Sequence, residues 1–193
     1  IQQIQGCIWP AAISERNLDD FRRIAQGIAS GFGLQNTPLM MQTILDGDEI
    51  NVIEFGARIG GGESFRIIEL STGFDIVNAG VDSFLGIPIQ GDARPPKMLY
   101  AESFIYAKAC TFGSIQGRDD LVANHVIEYL DVSKSVGMPV GEELSSNNRV
   151  GVFAVKSDTV DGLYEKMTNA IEGIEVYDIN GRPVLRRDIY SFP

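Results

Sequence analysis

The chain has 193 residues, 44% of them hydrophobic, enough for one core or for one core with a small second lobe. Its 16 Lys and Arg against 26 Asp and Glu give a net charge of −10, which argues against nucleic acid or an anionic membrane surface as a partner. No apolar run approaches the roughly 20 residues that cross a bilayer, and the N-terminal residues do not resemble a signal peptide. Because the first residue is Ile1, we expect the chain to start within a longer protein.

The cysteine and histidine content limits the chemistry further. Cys7 and Cys110 are far apart in sequence and do not have metal-ligand spacing, so reduced thiols in the cytoplasm are expected. His125 is the only histidine, which excludes a zinc site built on two imidazoles within this chain. Carboxylates and backbone amides must therefore carry any catalysis.

The first predicted element is an amphipathic helix. Apolar residues recur at helical spacing between Leu18 and Ile28, after the candidate N-terminal caps Ser14 and Asn17. Gly31 marks the end of this helix.

A hairpin and two helices are predicted next. Pro38 to Leu45 and Ile50 to Gly56 have the composition of strands, and the residues between them, 46–48, favour a turn. Helices are predicted from Glu63 to Leu70 and from Asp75 to Leu85, each followed by a glycine. We expect both helices to cover the sheet that the hairpin forms.

The remaining residues are predicted to mix strands with one helix. Ile89 to Lys97 is rich in proline and indicates a linker. Strands are expected at Met98 to Ala109, His125 to Val132 and Val150 to Val155, and a helix at Thr159 to Ile171.

The predicted fold class is therefore α+β, an antiparallel sheet flanked by helices with a smaller C-terminal α+β lobe. We divide the chain into residues 1–90, a metal-binding subdomain, and residues 91–193, a lobe packed on it. The sequence has no internal repeat or low-complexity tract.

The hairpin brings two candidate metal ligands together. If its loop has three residues, 47–49, then Asp46 faces Ile50 and Gln42 lies directly opposite Glu54. Directly opposed side chains lie about 4.5–5.5 Å apart at Cβ and share one face of the sheet. A loop one residue shorter or longer is expected to put the two side chains on opposite faces.

Gln42 and Glu54 suit a magnesium ion. Magnesium prefers oxygen ligands and usually takes only one or two from protein, while phosphates and water complete its octahedron. The same register aligns residues 40, 42 and 44 of the first strand with residues 56, 54 and 52 of the second. The two oxygen donors are then surrounded by apolar residues, which suits a cation and the flat base of a nucleotide.

An arginine and a glycine run follow the second strand. Arg58 can hold a phosphoryl oxygen with its planar guanidinium. A helix is predicted to begin directly after the glycines Gly60, Gly61 and Gly62. Free backbone amides and the positive end of the helix dipole would meet there, which predicts an anion site. A cation, an arginine and an amide cradle together are typical of phosphoryl transfer.

Structural alternatives exist for each of these features. Glu54 has a purely structural interpretation as one half of an ion pair with Arg58 or Arg66. The glycines at residues 60–62 have a structural interpretation too, as a tight turn between strand and helix. The glycine run lacks the spacing of a dinucleotide-binding fold and the Lys-Ser/Thr ending of a P-loop.

From Met41 to Ser64 the sequence resembles the ATP-grasp superfamily. Members carry acidic or amide metal ligands on paired strands, then a Glu-x-Asn-x-Arg run and a glycine-rich turn. Gln42, Glu54 and Arg58 match this pattern, and the glutamine is similar to that of carbamoyl phosphate synthetase large subunits. Gly56 departs from it, because the family has asparagine there. The resemblance is specific over residues 39–88 and weaker from Met98, where the chain is similar to the C-terminal lobe of amino-acid ligases.

The resemblance implies a ligand set and a reaction. The cofactors would be ATP and magnesium, with manganese as an alternative, and Gln42 and Glu54 would be the metal ligands. Ile44 matches an adenine-floor position, Arg58 is the expected catalytic residue, and the amides of residues 60–64 would orient the acyl phosphate. These last five are Gly60, Gly61, Gly62, Glu63 and Ser64.

The resemblance also implies that the chain is the C-terminal part of an ADP-forming carboxylate–amine ligase. The residues that clamp the nucleotide would lie upstream, so we expect the fragment alone to be inactive. The expected partners are a small carboxylate and an amine, the N-terminal lobes of the same protein and, as one option, a second copy in a homodimer. The alternative is a degenerate, non-catalytic module that binds a small ligand or a partner protein.

Overall fold

A computed structural model describes residues 4–89, 91, 93–143 and 145–190. The chain is an α+β protein built on antiparallel sheets, which confirms the predicted class. In chain order its elements are β1 (Gly6–Trp9), α1 (Glu15–Gly31), β2 (Met40–Asp46), β3 (Glu49–Gly56), α2 (Ser64–Thr72), α3 (Ile76–Phe84), β4 (Leu99–Tyr106), β5 (Cys110–Gln116), α4 (Arg118–Ala123), β6 (Tyr129–Val132), β7 (Pro139–Val140), β8 (Arg149–Ser157), α5 (Val160–Gly173) and β9 (Glu175–Asp178).

The chain forms two compact units. The hairpin unit comprises Ala11–Pro96, and the C-terminal unit comprises Ile1–Pro10 together with Lys97–Pro193. This division differs from the one expected at residues 90 and 91, because β1 pairs with β4 and therefore belongs with the C-terminal residues. The C-terminal unit is thus the larger of the two, where the sequence predicts a smaller lobe.

The hairpin unit contains the three helices that the sequence predicts. Helix α1 begins after Ser14, whose hydroxyl accepts a hydrogen bond from the backbone N–H of Asn17 at 3.1 Å. Its end packs against β3, where the rings of Phe32 and Phe55 meet edge to face with centroids 5.0 Å apart. Helices α2 and α3 pack on each other. It is therefore α1, rather than the expected α2 and α3, that makes the main helical contact with the hairpin.

The C-terminal unit has a four-stranded antiparallel sheet in the order β1-β4-β8-β6. Helix α5 packs against β8 and β4 of this sheet. Leu130, Val150, Phe153, Leu163 and Ile174 are each 0% exposed and form the centre of its core.

The strands β4, β6 and β8 and the helix α5 confirm predicted elements, and β4 and β6 are shorter than predicted. His125, at a φ of +55°, lies in the turn that follows α4, and the pairing of β6 with β8 begins only at Tyr129. A second sheet in the order β7-β5-β9 was not predicted, nor was α4. No helix in the described part of the chain has the length and apolar character that crossing a membrane requires.

Candidate functional site

The hairpin turn is shorter than the sequence predicts. Asp46 pairs with Glu49, so the turn consists of Gly47 and Asp48 alone, and the predicted three-residue loop is wrong. Gly47 has a φ of +58°, a conformation that suits the tight two-residue turns of hairpins. Gln42 and Glu54 are nevertheless paired, as predicted.

A β-bulge reconciles the short turn with this pairing. Thr43 pairs with Val52 and Gln42 pairs with Glu54, so Ile53 is an extra residue in β3. A bulge of this kind shifts the register by one residue. The extra residue in the strand replaces the one missing from the turn, and the expectation that a shorter loop would separate the two side chains is wrong. The predicted neighbour of Ile44 is also wrong, because its partner is Asn51 rather than Val52.

The candidate metal ligands are exposed. Gln42 and Glu54 are both exposed, and Ile44, two residues from Gln42 and on the same face of β2, is 58% exposed. Val52 pairs with Thr43 and therefore lies on the other face of the hairpin, where it is 40% exposed. In the described ranges no three His, Cys, Asp or Glu side chains are grouped to hold a metal ion. An amide oxygen opposite a carboxylate fits a magnesium ion whose other ligands are phosphates and water. A cation at this place would therefore rely on ligands from its substrate.

Arg58 lies against the end of β3. Its backbone N–H donates to the carbonyl of Gly56 at 2.8 Å, and its Nη1 donates to the carbonyl of Ile59 at 3.0 Å. A Cβ on Gly56 would lie 3.5 Å from Arg58 Cγ and 3.7 Å from Arg58 Nε. The arginine side chain thus packs over the position where the ATP-grasp pattern has asparagine.

The structural ion pair considered for Glu54 is not observed. Among the residues that the structure describes, its carboxylate makes no ion pair with Arg58 or with Arg66. Within the described residues the Arg58 guanidinium makes one hydrogen bond, to a backbone carbonyl, and the residue is exposed. Both charged groups remain available to a ligand.

The glycine run forms a tight turn before α2. The Ser64 hydroxyl donates to the carbonyl of Gly60 at 3.0 Å, and a Cβ on Gly60 would lie only 3.0 Å from that hydroxyl oxygen. Gly62 and Glu63 both have positive φ, +73° and +63°. No backbone hydrogen bond from the N–H groups of Gly61, Gly62 or Ser64 is found within the described residues. The turn therefore presents free amides at the start of a helix, as an anion site requires.

Replacing Glu63 with glycine is expected to stabilise the protein by about 0.5–1 kcal/mol. A left-handed conformation costs an L-residue about 1–2 kcal/mol, which glycine avoids, although glycine also loses more entropy on folding. Urea unfolding measures the difference. Glu69→Gly, in the body of the same helix α2, is the matched control and should destabilise by about 1 kcal/mol. A destabilising Glu63→Gly would contradict the prediction.

Sequence reasoning missed a buried carboxylate in the C-terminal unit. Glu102 of β4 is 1% exposed; the Tyr129 hydroxyl donates to its Oε1 at 2.5 Å and the Cys7 thiol to its Oε2 at 3.6 Å. Burial and, after it, the neighbouring Glu102 charge together raise the pKa of the Cys7 thiol to about 11. The thiol is therefore protonated at neutral pH, and this network links β1, β4 and β6 rather than forming a nucleophilic site. The sequence does contain a sign of this buried carboxylate, because Glu102 is the only charged residue in the stretch 99–106.

Solved structures share this fold. An L-amino acid ligase from Bacillus licheniformis superposes with a TM-score of 0.76 at 20% identity, covering 92% of this chain and 45% of that one. A phosphoribosylglycinamide synthetase from Anaerococcus prevotii gives 0.70 at 18% identity, covering 90% and 45%. The biotin carboxylase domain of a 2-oxoglutarate carboxylase from Hydrogenobacter thermophilus, solved as a dimer with MgADP, ADP and bicarbonate, gives 0.66 at 15% identity, covering 95% and 40%.

These comparisons confirm the resemblance to ATP-grasp ligases at the level of the fold. The chain spans less than half the length of each of the three structures. Comparison with protein-family models and with curated protein sequences gives no match.

Proposed function

We propose, from the ATP-grasp ligase fold of this chain, that it is the C-terminal part of a ligase that activates a carboxylate with ATP. In the first step a carboxylate oxygen attacks the γ-phosphorus and ADP leaves, which gives an acyl phosphate. In the second step an amine or similar nucleophile attacks the acyl carbon, loses a proton and expels phosphate. The observation that carries this proposal is the pairing of Gln42 with Glu54 across the hairpin.

Each residue of the site has a role in this proposal. Gln42 and Glu54 would hold a magnesium or manganese ion, which neutralises the charge of the phosphates when bound. Arg58 would bind the phosphoryl oxygens as their charge shifts. Ile44 would lie under the adenine, and the backbone amides of residues 60–64 would orient the acyl phosphate.

Positional isotope exchange in the intact protein tests the proposal. ATP labelled with ¹⁸O in the β,γ bridge is incubated with magnesium and one carboxylate at a time, without any amine. Reversible formation of an acyl phosphate moves the label to a non-bridging β position, because the β-phosphate of ADP rotates before ATP re-forms. Exchange that depends on one carboxylate would support the ligase. A lack of exchange with every amino acid and with bicarbonate, despite binding of ATP, would contradict it.

That negative outcome would favour the second candidate, a non-catalytic module. The observation behind this alternative is Gly56, where the pattern has asparagine and where Arg58 now packs. A module of this kind would bind its ligand without transferring a phosphoryl group.

The 193-residue chain alone is expected to bind ATP weakly or not at all. Small-molecule sites usually bury most of the ligand, whereas Ile44, the residue proposed to lie under the adenine, is 58% exposed on the hairpin surface. Isothermal titration calorimetry with MgATP measures the affinity. Micromolar binding by this chain would contradict the prediction.

A further inference from the structure

A second candidate site lies within the C-terminal unit. It is a cavity of about 400 Å³, within the size range of sites for small ligands. Its lining includes two basic residues, Lys108 and Arg186, and two acidic ones, Glu142 and Glu143. None of them belongs to the residues proposed for phosphoryl transfer.

Backbone pairing brings the two basic residues together. The N–H of Lys108 donates to the carbonyl of Val184 at 2.7 Å, and the N–H of Arg186 donates to the carbonyl of Tyr106 at 3.0 Å. Arg186 also binds the carboxylate of Asp188, with Nη2 and Oδ2 2.7 Å apart. Lys108, Arg186 and the adjoining Asp188 together carry two positive charges and one negative charge, so the net charge of this group is positive.

A buried asparagine fixes the backbone that carries the two acidic residues of the lining. Asn148 is only 9% exposed; its Oδ1 accepts from the N–H of Gly141 at 2.9 Å and its Nδ2 donates to the carbonyl of Glu143 at 2.8 Å. Both hydrogen bonds hold the backbone that carries Glu142 and Glu143. The two carboxylates are thus attached to a fixed loop.

Within the described residues, the basic and the acidic side chains that line the cavity do not pair with each other. Within the part of the chain that the structure describes, the side chains of Lys108, Glu142 and Glu143 form no hydrogen bond and no ion pair. Opposite charges that line one cavity without direct contact leave room for a molecule that carries both signs. Such a ligand would satisfy each charged group with a charge-assisted hydrogen bond.

We propose that this cavity binds a small zwitterion of the α-amino-acid class. Its carboxylate would face Lys108 and Arg186, and its ammonium group would face Glu142 and Glu143. The recognition uses charge at both ends of the ligand, so neither a simple anion nor a simple cation should bind as well.

Titrations followed by ¹H–¹⁵N correlation spectra of the 193-residue chain test this site. The probes are L-alanine, L-glutamate and L-phenylalanine, each added up to about 10 mM. Propionate and ethylammonium, which carry one charge each, serve as half-ligand controls. Binding of at least one amino acid, with shift changes at residues 106–109, 141–143 and 186, is expected. Absence of such changes with all three amino acids would overturn the proposal.

Variants identify the charges responsible. Lys108→Met and the double variant Glu142→Gln with Glu143→Gln should each weaken amino-acid binding at least ~10-fold. Lys97→Met and Glu165→Gln change exposed residues outside the cavity lining and should leave the affinity unchanged. Equal binding of propionate, or an unchanged affinity of the double variant, would show a simple anion site and overturn the proposal. Equal binding of ethylammonium would overturn it in the same way.

Discussion

Replacing Glu54 with alanine in the intact protein is expected to lower the rate of positional isotope exchange at least ~100-fold. The carboxylate would be the only charged protein ligand of the magnesium ion, and loss of one electrostatic contact to a phosphoryl transition state typically costs about 100-fold to 1,000-fold in rate. Arg58→Ala is expected to have a loss of the same order, because the guanidinium would bind the oxygens that gain charge.

Two matched variants separate a role in the site from a general loss of charge. Glu49→Ala removes an exposed carboxylate from the same strand, and Arg22→Ala removes an exposed guanidinium from α1. Both should retain the activity of the unmodified protein. Glu54 and Arg58 are exposed, so their alanine variants should change the free energy of unfolding by less than about 0.5 kcal/mol. Normal exchange in a folded Glu54→Ala protein would remove this residue from the mechanism.

Replacing Phe153 with alanine is expected to destabilise the C-terminal unit by about 3–5 kcal/mol. Phe153 is 0% exposed in β8, where it pairs with Ser103 on one side and Leu130 on the other. Removing the ring takes away buried apolar surface and leaves a cavity that the neighbouring strands cannot fill completely. Urea unfolding followed by circular dichroism measures the loss.

A control for this prediction comes from the edge of the same sheet. Val132 in β6 is 46% exposed, so Val132→Ala should cost less than about 1 kcal/mol. A Phe153→Ala protein as stable as Val132→Ala would show that β8 does not lie at the centre of the core.

The pairing of Gln42 with Glu54 was predicted from the sequence, but for a reason that the structure corrects. The prediction needed a three-residue loop, whereas the hairpin has a two-residue turn with a bulge at Ile53. The longer loop and the bulge each place one additional residue between Gln42 and Glu54, so both lead to the same pairing. No local signal marks the bulge, because Ile53 is an ordinary strand residue by composition.

The motif from Met41 to Ser64 is sufficient to predict the fold. Gln42, Glu54, Arg58 and the glycine run indicated the ATP-grasp superfamily, and solved ligases of that fold superpose on the chain. No motif in the sequence predicts the cavity of the C-terminal unit. Lys108 and Arg186 are far apart in sequence and meet only because the end of β4 pairs with residues 184–186.

The sequence alone determined the α+β class and the helices α1, α2, α3 and α5. These features depend on caps, turns and periodicity within a few residues, which the sequence records directly. Only the tertiary structure decided the place of β1 beside β4, the second sheet and the charged cavity. Most of these strands have four residues or fewer, and the free energy that forms them comes from partners distant in the chain.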